Sequence, residues 1–102
     1  MVVNVSSGLG SVALTLRQDY HRTPAASGSS KAAVAILTAQ WSAAFPGLRF
    51  NAADPGYTAT DLNATSGTQT VTEGTDAIVE HATRGAEGPT GTYLSRHGVV
   101  PW

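Results

Sequence analysis

The side chains best suited to acid–base chemistry on a small organic molecule come from two polar stretches near the N-terminus and from the only lysine of the chain. Ser7 offers a hydroxyl at the end of an apolar run, and Lys31 offers an ammonium. Tyr20 and His21 are neighbours, and a phenol and an imidazole there could exchange protons with a ligand. These four residues are the predicted catalytic set.

A turn in the middle of the chain is the predicted substrate pocket. Asp54 and Tyr57 flank Pro55-Gly56 directly after an apolar run. If that run is a strand of an open parallel sheet, its carboxyl end is where ligands bind. We predict no metal site, because the three histidines lack i, i+4 pairing and the spacing of Asp54 and Asp61 fits no ligand pattern.

The elements that must position these residues alternate between strands and helices. Strands are predicted at residues 1–5, 48–53 and 91–94, and helices at residues 30–45 and 71–84. The first strand is indicated by its β-branched valines, and the second helix by a capping box of Thr70 and Glu73. This order predicts an α/β fold of about three parallel strands and two main helices, formed by residues 1–102 as one domain. Residues 8–28 show no sustained period and are predicted as a long connection.

Two histidines of the C-terminal half are predicted to lie on the surface. His97 falls in a turn between Arg96 and Gly98. His81 is assigned to the exposed side of the second helix, whose apolar stripe is predicted to include Val71 and Val79.

The composition excludes several classes of protein. A formal net charge of −1 without any run of Lys or Arg argues against partners such as nucleic acid or an anionic membrane. The chain has no cysteine, which excludes disulfides and thiolate metal sites. It also lacks an apolar run of about 20 residues and a basic signal-peptide start, so a cytoplasmic location is the default expectation. Met1 directly before the first strand is taken as a genuine start.

Low charge predicts self-association. Charged residues make up only 13% of the chain, and none lies between Lys31 and Arg49. A helix without a charged side usually packs on two sides, and a chain this short supplies one of them. An unpaired first strand adds a second surface that needs a partner. We therefore expect a homo-oligomer, with a dimer as the simplest form.

Three segments in a fixed order resemble the C-terminal half of the short-chain dehydrogenase/reductase family. The segments are Asn4-Val5-Ser6-Ser7, Ser30-Lys31-Ala32-Ala33 and Asn51 to Thr60. In that family, an Asn-x-Ser-Ser strand end supplies a catalytic serine, and a Tyr-x-x-x-Lys helix start supplies an acid/base tyrosine and its lysine. An Asn-x-x-x-Pro-Gly-x-x-x-Thr segment lines the nicotinamide site. The resemblance implies a truncated Rossmann-like half-domain.

Carried over by position, the resemblance implies roles for Ser7 as the substrate-orienting serine, Lys31 as the lysine and Thr60 as the carboxamide-side threonine. The tyrosine position is Ser27, whose hydroxyl is far less acidic than a phenol. Tyr20 could swing into the gap, and Ser27 is left as a pocket residue. The family's Gly-rich phosphate turn has no counterpart here, so we expect no bound cofactor.

These departures favour a repurposed half-domain that acts on a small-molecule ligand by non-redox acid–base chemistry, such as isomerisation, cyclisation or elimination. Two alternatives remain open. The chain could be a non-catalytic small-molecule binder or a stabilising partner of a longer relative. It could also be the C-terminal half of a split NAD(P)-dependent oxidoreductase, with a second chain supplying the dinucleotide-binding half.

Overall fold

A four-stranded sheet lies at the centre of the chain. The computed structural model describes residues 1–17 and 25–102. The strands are β1 (Val2–Val5), β2 (Phe50–Asp54), β3 (Tyr93–Ser95) and β4 (Gly98–Val99). They lie in the order β1-β2-β3-β4, the first three parallel and β4 antiparallel to β3. The α/β class and the three parallel strands predicted from the sequence are confirmed, and β4 is an additional edge strand.

Three helices accompany the sheet in the described residues. They are α1 (Val12–Arg17), α2 (Ala25–Ala44) and α3 (Val71–Thr83). The predicted capping box of α3 is confirmed: the Thr70 hydroxyl accepts a hydrogen bond from the Glu73 backbone N–H at 3.2 Å, and the Thr70 N–H donates to Glu73 Oε2 at 2.8 Å. Both α2 and α3 pack against β2, which lies between β1 and β3.

The predicted connection over residues 8–28 is wrong at both of its ends. Gly8–Gly10 forms a 3₁₀ turn, α1 follows it, and α2 already begins at Ala25. The first turn of α2 is made of small residues, including Ser27 and Gly28, which give no apolar period in the sequence. Gly28 lies where an added Cβ would approach the Leu9 carbonyl oxygen to 3.1 Å, so packing against the 3₁₀ turn selects a small residue there.

The interior around β2 combines small and polar side chains. Asn51 is fully buried, and its amide donates to the Pro89 carbonyl at 2.9 Å while its oxygen accepts from the Thr92 N–H and hydroxyl. These bonds satisfy a polar group that would otherwise be costly inside a protein. They also hold the chain before β3 against β2, which sets the position of the third parallel strand.

His81 is buried, and its predicted place on the exposed side of α3 is wrong. The buried residues of α3 are Gly74, Ala77 and His81, spaced three and four apart on one face. Gly74 lets this face approach the Thr58 side chain, which an added Cβ would overlap, while Val71 and Val79 face solvent. Burial lowers the pKa of His81, and neither ring nitrogen has a hydrogen-bond partner among the described residues.

One side of α2 remains uncovered. Five large apolar side chains on and just after this helix are 39–55% exposed: Ile36, Leu37, Trp41, Phe45 and Leu48. Trp41 and Phe45 also contact Phe50 of β2, with ring centroids 5.9 and 6.1 Å apart, so the patch continues into the core. No helix in residues 1–17 or 25–102 is long and apolar enough to cross a membrane.

Candidate functional site

The carboxyl end of β1 carries two serines with different roles. Ser6 is buried, and its hydroxyl donates to the Lys31 carbonyl at 2.9 Å. Ser7 is half-buried, and its hydroxyl accepts from the Leu9 N–H at 3.2 Å, which caps the 3₁₀ turn. Ser6 therefore joins β1 to α2, whereas Ser7 presents its side chain at the edge of the sheet.

Lys31 is held against the same strand end. Its Nζ donates to the Val5 carbonyl at 3.2 Å. The Ser6 side chain donates to the Lys31 backbone and the Lys31 side chain donates to the Val5 backbone, so two hydrogen bonds join the end of β1 to α2. Gly10 allows the 3₁₀ turn to touch the helix, because an added Cβ would lie 2.6 Å from backbone atoms of Lys31 and Ala32. This contact holds the 3₁₀ turn that follows Ser7 against the part of α2 that carries Lys31, and it tolerates no larger residue at position 10.

Ser27 lies one helical turn before Lys31, as the four-residue spacing requires. It is exposed, and its backbone carbonyl accepts from the Ser30 hydroxyl at 2.9 Å. A serine side chain is far shorter than a tyrosine side chain, and Ser27 does not line the cleft between the ends of β1 and β2. Tyr20 and His21, the other two predicted acid–base residues, lie outside the described residues.

A cleft of about 420 Å³ opens between the ends of β1 and β2. Its lining residues are Ser7, Gly8, Leu9, Asp54, Gly56 and Tyr57. Asp54 Oδ1 accepts from the Gly56 N–H at 2.9 Å, and Gly56 has a φ of +73° that suits glycine. The Tyr57 hydroxyl is hydrogen-bonded to Ser66 Oγ at 2.7 Å, and the residue is 55% exposed. Three predicted site residues, Ser7, Asp54 and Tyr57, therefore share one cleft.

Thr60 does not line this cleft. It precedes a 3₁₀ turn over Asp61–Asn63, and its N–H donates to Asn63 Oδ1 at 3.2 Å. The residue is half-buried in its own loop. The structure therefore places Thr60 beside the Asp54–Tyr57 turn without bringing it to Ser7.

A smaller cavity of about 170 Å³ adjoins the other side of the Asp54–Tyr57 turn. Arg96 lines it and was missed by sequence reasoning; its guanidinium is paired with Glu73 at 2.7 Å and Asp76 at 3.3 Å. His97 also lines the cavity and is exposed, as predicted. The Thr70 N–H, and then Arg96, lower the pKa of Glu73. The register that pairs Asp54 with Ser95 brings this turn to the site, and register is not readable from the sequence.

Tyr93 is a second residue near the cleft that the sequence analysis did not single out. The side chain is 1% exposed and packs against Trp102, with ring centroids 5.3 Å apart. Its hydroxyl lies near Ser6 but has no hydrogen-bond partner among the described residues. Burial raises the pKa of Tyr93, and the charge of Asp54 adds to that effect. The Tyr93 phenol is therefore uncharged, and it is buried near Asp54, outside the cleft lining.

The described residues contain no group of three His, Cys, Asp or Glu side chains that could hold a metal ion. The cleft offers a hydroxyl, a carboxylate and a phenol at the carboxyl edge of parallel strands. The Lys31 ammonium lies at the end of β1, outside the cleft lining. Open parallel sheets bind ligands at this edge.

This sheet, with Ser7 at the end of β1 and Lys31 hydrogen-bonded to the same strand end, has the fold of the C-terminal part of a short-chain dehydrogenase/reductase, and the family resemblance is confirmed. No protein-family model matches the chain. Over 71 residues the chain is 36% identical to (+)-neomenthol dehydrogenase of Capsicum annuum, covering 70% of this chain and 23% of that protein.

Solved structures give the same fold. Carbonyl reductase Sniffer of D. melanogaster matches 98% of this chain at 24% identity and a TM-score of 0.78, and NADPH-bound carbonyl reductase from chicken fatty liver matches 98% at 28% identity and 0.77. Salutaridine reductase from Papaver somniferum matches 92% at 24% identity and 0.73. The chain spans 40–44% of these solved chains, so it corresponds to less than half of each.

Proposed function

We propose that this chain forms the substrate-side part of an NAD(P)-dependent oxidoreductase that acts on a carbonyl or hydroxyl group of a small molecule. The dinucleotide-binding part would come from outside these 102 residues. The observation that carries the proposal is the placement of Ser7 and Lys31 at the end of β1, where Ser7 lines the cleft and Lys31 Nζ donates to the Val5 carbonyl. The names of the similar proteins, all dehydrogenases or reductases, support the redox class over the non-redox chemistry predicted from the sequence.

The residues present fit the nicotinamide end of such a cofactor better than its phosphates. A bound nicotinamide would supply or accept the hydride. The Ser7 hydroxyl would hydrogen-bond to the substrate oxygen, and the Lys31 ammonium would stabilise negative charge near it. The phosphates would need backbone N–H groups of a Gly-rich turn at a helix start, and these 102 residues contain no such turn.

The isolated chain is therefore expected to bind NADPH or NADH too weakly for calorimetric detection at micromolar protein. Most of the affinity for a dinucleotide comes from phosphate and ribose contacts that this chain does not supply. A dissociation constant in the low micromolar range would contradict the proposal. As a control, Ser27→Tyr restores the phenol but not the phosphate site, so it should leave this result unchanged.

Non-redox acid–base chemistry remains a second candidate, favoured by one observation. Ser27 replaces the phenol that a carbonyl reduction would use as proton donor, and it lies outside the cleft. Under the redox proposal another group must donate that proton, and Tyr20 is the candidate from the sequence. Adding the N-terminal part of the chicken carbonyl reductase, NADPH and a simple ketone to the chain separates the two candidates. NADPH oxidation that depends on both parts supports the redox proposal.

We also propose that the chain alone self-associates, as a dimer in the simplest case. The exposed apolar side of α2 and the free edge of β1 support this, because such surfaces favour association. Sedimentation at micromolar concentration should detect a dimer, and Trp41→Glu should weaken it if α2 forms the interface. A folded monomer under these conditions would contradict the proposal, whereas a dimer that survives Trp41→Glu would place the interface at β1.

A further inference from the structure

One oxygen of the Asp54 carboxylate has no structural role in the turn that carries it. Oδ1 is held by the Gly56 N–H, whereas Oδ2 accepts no hydrogen bond from a described residue and lies over Gly8. An added Cβ at Gly8 would come within 3.1 Å of Oδ2, so the glycine leaves room for this oxygen at the floor of the cleft. One carboxylate oxygen is thus oriented and available as an acceptor.

Within the described part of the chain, the rest of the lining carries no charge that could pair with this oxygen. Asp54 is the only charged one of the six described residues that line the cleft. Lys31 lies outside the lining and donates to the Val5 carbonyl. Arg96, across the Asp54–Tyr57 turn, is paired with both Glu73 and Asp76. Among the described residues, three carboxylates therefore face one guanidinium around this turn, and they contribute a negative potential that attracts cations.

An aromatic ring completes the arrangement. Tyr57 lines the same cleft, is 55% exposed, and is fixed by the hydrogen bond between its hydroxyl and Ser66. Aromatic faces attract ammonium groups, and a carboxylate accepts charge-assisted hydrogen bonds from them. Leu9 adds an apolar wall for the body of a ligand. A carboxylate, a ring and an apolar wall, with no cationic side chain among the described lining residues, suit a small amine.

We propose that this cleft selects an organic cation, an ammonium attached to a small apolar or aromatic body, with Asp54 as the residue that determines the charge preference. The inference rests on the proposed function only in taking this cleft as the place of the substrate. It names the substrate class of that site, because an anion would meet the free oxygen of Asp54 and a neutral alcohol would leave its charge unpaired.

The test is a calorimetric or NMR titration of the whole chain at pH 7 and fixed ionic strength with benzylammonium, benzyl alcohol and benzoate. We expect benzylammonium to bind about tenfold or more tightly than benzyl alcohol, and benzoate not to bind. Asp54→Asn keeps an acceptor for the Gly56 N–H and should abolish the preference. Asp61→Asn removes an exposed carboxylate outside the cleft and should leave the preference intact.

Equal affinity for the cation and the alcohol, a preference that persists in Asp54→Asn, or no binding of benzylammonium at about 10 mM would each overturn the inference. These readouts need no dinucleotide. A cation preference without NADPH oxidation in the assembled enzyme would therefore reject the redox proposal and leave the cation site standing. Oxidation of NADPH without a cation preference would do the opposite.

Discussion

Replacing Lys31 or Ser7 with alanine is expected to lower the rate of the assembled enzyme by about 10²–10⁴, the typical effect of losing one positioned acid–base group. Both residues are fixed at the end of β1, Lys31 by its bond to the Val5 carbonyl and Ser7 by the Leu9 N–H. The measurement is the NADPH oxidation rate of the chain combined with the N-terminal part of the chicken carbonyl reductase.

A matched control separates chemistry from folding. His97 is exposed, and its one hydrogen bond to a described residue is made by the backbone N–H, so His97→Ala should leave the rate within about twofold. Circular dichroism of each variant should match the parent chain. If Lys31→Ala and Ser7→Ala retain full activity in the assembled enzyme, the site at the end of β1 is wrong.

Acidification below pH 6.5 is expected to destabilise the fold through His81. Its folded pKa is lowered, chiefly by burial and then by the charge of Arg84, with the charge of Glu80 opposing the shift. The unfolded chain thus binds more protons as the pH falls below about 6.5, and stability present above that pH is lost. The loss reaches at most about 1.4 kcal/mol per pH unit, a large share of the stability of a small domain.

Urea unfolding between pH 5 and 7 measures this effect. The pKa of Glu73 is also lowered, but its contribution is lost only as the pH falls below about 4.5, outside this window. His81→Leu removes the ionisable ring and should flatten the dependence on pH, whereas His97→Gln should preserve it. A steep loss of stability that persists in His81→Leu would contradict the assignment to His81.

The parts of the fold that the sequence predicts are those fixed by local chemistry. The capping box of Thr70 and Glu73 sets the start of α3, and the valines of β1 are β-branched and form a strand. The grouping of Ser7 with Asp54 and Tyr57 follows as well, because parallel strands bring their carboxyl ends to one edge. Residue types and strand order suffice for these features.

The features that the sequence does not predict depend on distances between elements. His81 is a polar type, yet it lies on the same buried face of α3 as Gly74 and Ala77. Arg96 reaches the Asp54 turn only through the register of β2 and β3. Likewise, the first turn of α2 is selected by contact with the 3₁₀ turn at residues 8–10 rather than by its own pattern. Local sequence does not encode such contacts.

The pairing of β1 with β2 has a consequence for how the chain folds. Val2 pairs with Phe50, almost half the chain length away, so the first strand cannot form these hydrogen bonds until the segment of β2 has reached it. Distant parallel contacts of this kind fold slowly, because a long loop must close before any pair forms. During this interval the apolar N-terminal strand is exposed to other unfolded chains, which favours aggregation. The yield of folded protein should therefore be higher when the chain is made slowly and kept dilute, because fewer unfolded chains then meet while β1 is still unpaired.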